Sequence, residues 1–210
     1  MRLEEAGRTT KSRGMSHRVR ASTPTAGQEE TKQAFLNILA SSGFPLSGLH
    51  VQITDGGSQA IELALLGICG PAGSGERPLL VIDPAYTNYG LLAERIGRSI
   101  VSITRSLQPD GKFTLPRLDQ IEVLIRKQKP GGLLAIPYDN PTGQLFSREW
   151  MLELASLCAR YNLWFVSDEA YRELFYAEGE AVSIWSIGDR EVSGIEGRRI
   201  GLDSASKVWN

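Results

Sequence analysis

Six short apolar runs punctuate the chain: HVQIT at 50–54, LLVID at 79–83, SIVSIT at 99–104, LLAIP at 133–137, LWFVS at 163–167 and RIGLD at 199–203. Runs of this length, rich in β-branched and aromatic residues, read as strands buried on both faces. Helical periodicity fills several of the gaps. LPRLDQIEVLIRK repeats Leu115, Leu118, Ile121 and Ile125 at helix spacing, and SREWMLELASLCARY does the same with Met151, Leu154, Ala155 and Cys158. Ahead of the first run, ETKQAFLNILASSG sets Ala34, Phe35, Ile38 and Leu39 on one face and stops at Gly43. Strands alternating with helices have one natural outcome, a mostly parallel sheet sandwiched by helices, so the predicted class is α/β. GPAGSGERP at 70–78 reads as a surface loop.

Charge narrows the partners. With 23 basic against 24 acidic side chains no global field favours nucleic acid or a membrane surface, which leaves small molecules or other proteins. No apolar run approaches the roughly 20 residues of a spanning helix, and no signal-peptide core follows Met1. Cys69 and Cys158 sit inside apolar helical patterns without CxxC or Cys/His spacing, so neither a metal centre nor a disulfide framework is expected and a reducing, cytoplasmic compartment is. Residues 1–26 carry scattered Arg, Thr and Ser and almost no large apolar side chains, and read as a flexible basic tail ahead of a folded unit at 27–210.

In open α/β sheets ligands bind where strands end and helices begin. After the first run comes TDGGSQAIELALLG; its Gly-Gly-Ser turn opens an apolar helix and suits either a phosphate or a plain serine-capped start. After LLVID comes PAYTNYG, in which Tyr86 offers a ring face, to a flat ligand or to simple packing. After LLAIP, Asn140-Pro141-Thr142-Gly143 is a turn by composition and puts an amide at the strand end. Asp168 follows the apolar stretch LWFVS directly, so its carboxylate starts partly buried and calls for a cation, or else caps the next helix. The last junction, DSASK, places Ser204 and Lys207 behind RIGLD; a lone lysine is usually a solvated surface charge. Taken together, a phosphate cradle, an aromatic ring, an amide, a carboxylate and an amine at successive strand ends are the set that one ligand would use.

DNPTGQ resembles the NPTG turn of the class I and II aminotransferases, SDEAYREL their D-x-A-Y segment and SASK their S-x-S-K lysine motif, while TDGGSQAI and PAYTNY are similar to the phosphate turn and ring-stacking segment. The motifs run in family order from about residue 24 to 210. The resemblance implies a fold type I, pyridoxal 5'-phosphate-dependent enzyme that exchanges an amino group between an amino acid and a 2-oxo acid and works as a homodimer. It implies that Lys207 bonds the cofactor aldehyde and later shuttles a proton, and that Asp168 pairs with the pyridine nitrogen. Tyr86 would stack on the ring, Asn140 and Tyr171 would hydrogen-bond its phenolic oxygen, and Gly57, Ser58, Gln59 and Ser204 would hold the phosphate. Physical chemistry agrees for Asp168. Keeping the ring nitrogen protonated at neutral pH asks for about two pKa units, roughly 3 kcal/mol. A neutral hydrogen bond contributes only ~1 kcal/mol, and a desolvated charge pair more.

Two family features are not in the sequence as given. The arginines that the family carries beyond its lysine, for phosphate and for the substrate carboxylate, have no counterpart before Asn210, and Ser22 and Thr23 stand where members often have a tyrosine. The expectation is therefore a partial large domain of a longer enzyme, prone to self-association through an uncovered sheet edge. The competing readings are a lyase on the same fold and a non-catalytic partner of an intact copy.

Overall fold

The computed structural model describes residues 24–174 and 182–208. Most of the expected tail, residues 1–23, lies outside them. Pro24 to Gly27 forms a turn closed by Gly27 N donating to Pro24 O at 2.8 Å. Ile53 N donates to Ala26 O at 3.1 Å and pins this turn to the body.

Five of the six apolar runs are strands: β1 Leu79–Asp83, β2 Ile100–Thr104, β3 Gly132–Ala135, β4 Trp164–Asp168 and β5 Arg199–Leu202. They form one sheet of order β2-β1-β3-β4-β5, and every pair is parallel. The helices are α1 Glu29–Ser41, α2 Gly56–Cys69, α3 Asn88–Arg95, α4 Leu118–Gln128, α5 Arg148–Arg160 and the short α6 Ala205–Val208. None of the helices among the described residues is long and apolar enough to cross a membrane.

Alternation along each strand divides the core into two layers. Leu80, Ile82, Leu133, Ala135 and Phe165 face α4 and α5, where Ile121, Ile125, Met151, Leu154, Ala155 and Cys158 are buried. Leu79, Val81, Leu134 and Val166 face α2 and α3, against Ile61, Leu65, Ile68 and Leu92. Such two-sided burial is why β1 is apolar up to its last residue and β3 throughout, whereas β2 at the sheet edge is half-exposed and carries Ser102 and Thr104. Both cysteines are buried and free, Cys69 in the α2 layer and Cys158 in the α5 layer.

HVQIT is the exception and corrects the expected strand at 50–54. The segment belongs to no helix or strand: Ile53 N donates to Ala26 O and Gln52 Nε2 to Thr25 O, both in the turn at residues 24–27, and the neighbour of β5 in the sheet is β4. Between it and the outer edge of β5 runs a groove of about 660 Å³, also lined by Phe35, Leu39, Ala60 and Ala64. The residue pattern provides a strand's alternation, but a strand also needs a neighbour at hydrogen-bonding distance.

Candidate active site

Parallel strands send all their C-terminal ends to one side of the sheet. From β1 the chain passes outward to β2 and returns past β1 to β3, so the direction of winding reverses between β1 and β3 and leaves a crevice above them. There lies a cavity of about 170 Å³. Gly57 and Ser58 from the start of α2 line it, with Tyr86 from the β1 exit, Asn140 from the β3 exit, Asp168 and Tyr171 from the β4 exit, and Ser204 and Lys207 from the β5 exit. Residues up to 150 positions apart in sequence thus share one small space. Gln59 does not join them: its side-chain carbonyl turns back to accept the Asp55 N–H at 2.7 Å.

Each wall has its own chemistry. At the start of α2, Gly56 adopts φ +78, a conformation glycine reaches freely. Gly56 N donates to Thr54 O at 2.9 Å and no side chain caps this helix, so the N–H groups that follow in its first turn and the positive end of its dipole face an incoming anion. A Cβ on Gly57 would sit 3.9 Å from Ser204 Cβ, which places the serine of DSASK against the glycine turn. Tyr86 is held from two sides: its hydroxyl accepts from Asn88 Nδ2 at 2.7 Å, and its ring meets Tyr89 edge-to-face with centroids 5.6 Å apart.

Asp168 ends β4. Its Oδ2 accepts from Tyr89 Oη at 2.6 Å and its Oδ1 from Ala170 N at 3.1 Å. Burial pushes its carboxyl above the ordinary value, the bonds from Tyr89 and Ala170 oppose that, and the charge of Asp203 adds to it. No cation pairs with it among the described residues, so a cationic ring nitrogen entering the cavity would relieve the desolvation penalty. Lys207, exposed on α6, holds Nζ 5.6 Å from the centroid of the Tyr171 ring. Anion cradle, stacking ring, buried carboxylate and accessible amine are a donor set that fits pyridoxal phosphate.

Two features of the site were not foreseen in the residue pattern. Tyr89, 2% exposed, is the hydroxyl partner of Asp168. Its position three residues beyond Tyr86, across the turn that Tyr89 N closes on Tyr86 O at 3.2 Å, was the available signal. Arg105 lies buried behind the cavity, with Nη1 2.7 Å from Asp139 Oδ2, Nη2 donating to Pro84 O at 2.5 Å and Nε to Asp83 O at 3.3 Å. The Asp139 contact lies off the N–H direction and acts through charge. One guanidinium thereby braces the loop that carries Tyr86 and the turn that carries Asn140.

Comparison with known proteins gives the family and the fold. The family model "Aminotransferase class I and II" matches residues 2–210. The chain is 28% identical over 163 residues to the aspartate aminotransferase of Streptomyces avermitilis, covering 77% of this chain and 38% of that protein. It is 33% identical over 137 residues to the histidinol-phosphate aminotransferase of Aeromonas hydrophila, covering 64% and 35% respectively. Among solved structures, N-succinyldiaminopimelate aminotransferase from Mycobacterium tuberculosis superposes with a TM-score of 0.74 at 22% identity, over 90% of this chain and 46% of that one. Cystalysin from Treponema denticola, which contains pyridoxal 5'-phosphate, superposes at 0.73 and 19% identity over the same shares. The chain spans less than half the length of these relatives. Its sheet is the fold type I α/β sheet, and the chain belongs to the class I and II aminotransferases.

Proposed function

We propose that this chain carries the cofactor-binding portion of a pyridoxal 5'-phosphate-dependent aminotransferase, acting on an amino acid and a 2-oxo acid. The observation that carries the proposal is the single cavity bounded by the start of α2, Tyr86, Asn140, Asp168 and Lys207. When bound, the cofactor supplies an electron sink for the pair left on the substrate's α-carbon.

The residues divide the remaining work. Lys207 Nζ would hold the cofactor's aldehyde group and, as a free amine, would be the base that takes a proton at the substrate's α-carbon. Asp168 would hold a proton on the ring nitrogen, and Tyr89 and Ala170 fix the direction of its carboxylate. Tyr86 would fix the ring plane; Asn140 and Tyr171 would orient the phenolic oxygen. Gly57, Ser58 and Ser204 would receive the phosphate, and Gln59 supports the turn through Asp55. The homodimer, the cytoplasmic compartment and the division into tail and large domain are part of this proposal.

Incubation with pyridoxal phosphate and borohydride, followed by peptide mass spectrometry, tests it: a phosphopyridoxyl mass on Lys207 is expected, and a label spread over surface lysines refutes the site. The outcome with an amino acid separates two reactions. Release of a 2-oxo acid with amination of the cofactor supports transamination. Ammonia release supports the lyase reading, which the likeness to cystalysin and to the Staphylococcus hominis C-S lyase, at TM-scores of 0.73 and 0.71, keeps in play.

A further inference from the structure

Behind the cavity, between it and the groove beside β5, lies a group of charges that the reaction above does not use. Arg172, 5% exposed, directs each guanidinium nitrogen at a different carboxylate. Nη1 donates to Glu169 Oε2 at 2.9 Å, Nη2 to Asp203 Oδ2 at 2.9 Å and Nε to Glu173 Oε1 at 3.1 Å. Glu169, 1% exposed, is fully committed, since it also accepts from Ser167 Oγ, Ser183 Oγ and the N–H of Ile184. Asp203 uses its other oxygen to accept the N–H of Ser204 at 2.7 Å.

These partners occupy particular places in the chain. Glu169 follows Asp168, and Arg172 follows Tyr171. Asp203 precedes Ser204 and lies four residues before Lys207. Beyond the paired strands, the two exits share one recorded backbone hydrogen bond, Glu169 N to Leu202 O at 2.8 Å. The segment that follows Asp203 is a single exposed helical turn, α6, with no buried side chain to seat it. Its distance from the β4 exit therefore depends on side chains, and a planar fork that meets two carboxylates fixes a distance as a flexible ammonium does not.

The geometry points to Arg172 as a positioning residue that ties the Ser204–Lys207 segment to the Asp168–Tyr171 turn, and so sets the reach of the Lys207 amine relative to the Asp168 carboxylate. Arg172 itself lies outside the cavity lining and acts through Asp203 and Glu169. The inference rests on the function proposed above for its catalytic meaning; the mechanical tie stands on the contacts alone.

The test compares Arg172→Met, Arg172→Lys and Asp203→Asn in the full chain. Without cofactor, amide hydrogen exchange is expected to quicken on the order of tenfold at residues 204–207 and 170–171 in all three variants, with β1 and β3 unchanged. With pyridoxal phosphate, the rate of borohydride trapping at Lys207 is expected to fall on the order of tenfold or more, and the induced circular dichroism of the bound cofactor to weaken as its ring loses a fixed angle. Arg172→Lys keeps a charge for one carboxylate and is expected to recover thermal stability without recovering trapping. Wild-type exchange at 204–207, or trapping that tracks thermal stability alone across the variants, overturns the inference. If the wild-type chain takes up no pyridoxal phosphate, the proposed function fails, and the exchange measurement still decides whether Arg172 ties the two exits.

Discussion

The Tyr89 hydroxyl donates a 2.6 Å hydrogen bond to Asp168 Oδ2, joining α3 to the end of β4 across the floor of the cavity. Burial raises both groups above their ordinary pKa values, and the Asp168 charge raises Tyr89 further, so the proton stays on the tyrosine and the carboxylate keeps a fixed direction. Tyr89→Phe retains the ring and its edge contact with Tyr86 but removes the donor. The expected loss is about 1–3 kcal/mol in the cofactor-free chain, read as a lower urea midpoint, together with weaker pyridoxal phosphate binding. If neither changes, Ala170 N alone orients Asp168.

The raised Asp168 carboxyl has a signed consequence for stability. A group that binds its proton more tightly when folded contributes stability below its unfolded value, about 3.9, and that contribution is lost as pH rises through the folded value. Asp168→Asn lacks this loss. Without cofactor, its Tm is expected to exceed that of the wild type at neutral pH and to approach it near pH 4, at about 2–4 °C per kcal/mol for a chain of this length. Glu169 is raised by burial too, but it is present in both proteins and cancels in the difference. Adding pyridoxal phosphate is expected to reverse the order, because asparagine cannot hold the ring nitrogen protonated. A Tm gap that does not vary with pH would falsify the assignment.

Arg105 and Asp139 form the other buried pair, with both side chains essentially inaccessible. Thr142 Oγ1 also donates to Asp139 Oδ2, so the pair closes the turn that presents Asn140. Removing either partner alone strands a charge, and Arg105→Met or Asp139→Asn is expected to cost about 3–5 kcal/mol. Combining them is expected to cost less than the sum, with a coupling of about 1–3 kcal/mol in a double-mutant cycle followed by urea denaturation. Strict additivity would mean the two charges are stabilised independently.

Much of this architecture was legible because burial on both faces forces uninterrupted apolar runs, and β1, β3 and β4 could hardly be read otherwise. HVQIT carries a comparable signal at 50–54, but pairing is a property of two segments and one segment's pattern cannot report its neighbour. The strand-end residues were legible for a related reason: a polar side chain directly after a buried strand is either a cap or a ligand group, and here the exits converge. Arg105 and Arg172 stayed hidden, since a cation beside a strand end reads as solvated until its carboxylates are seen in space. Glu169 three residues before Arg172 and Glu173 directly after it were the local hints. Gln59 was placed with the phosphate by its motif, but a side chain four residues into a helix can satisfy the helix's own start, and it does.

Close packing behind the site offers a last check on the fold that holds it. A Cβ built on Gly131 would lie 2.2 Å from Ile68 O, a backbone atom at the end of α2 that has no rotamer by which to retreat. Gly131→Ala therefore has to push α2 off β3, and α2 carries Gly57 and Ser58 at its other end. The expected cost is about 1–3 kcal/mol or more, with weakened pyridoxal phosphate binding although Gly131 lies outside the cavity. Gly67, inside the same helix, has nothing within 4 Å of an added Cβ. Gly67→Ala is expected to stabilise by about 0.5–1 kcal/mol through helix propensity and to leave binding unchanged. Thermal unfolding and cofactor titration of the two variants decide between them: opposite signs support the close α2–β3 approach, and a neutral Gly131→Ala shows that α2 stands farther from the sheet.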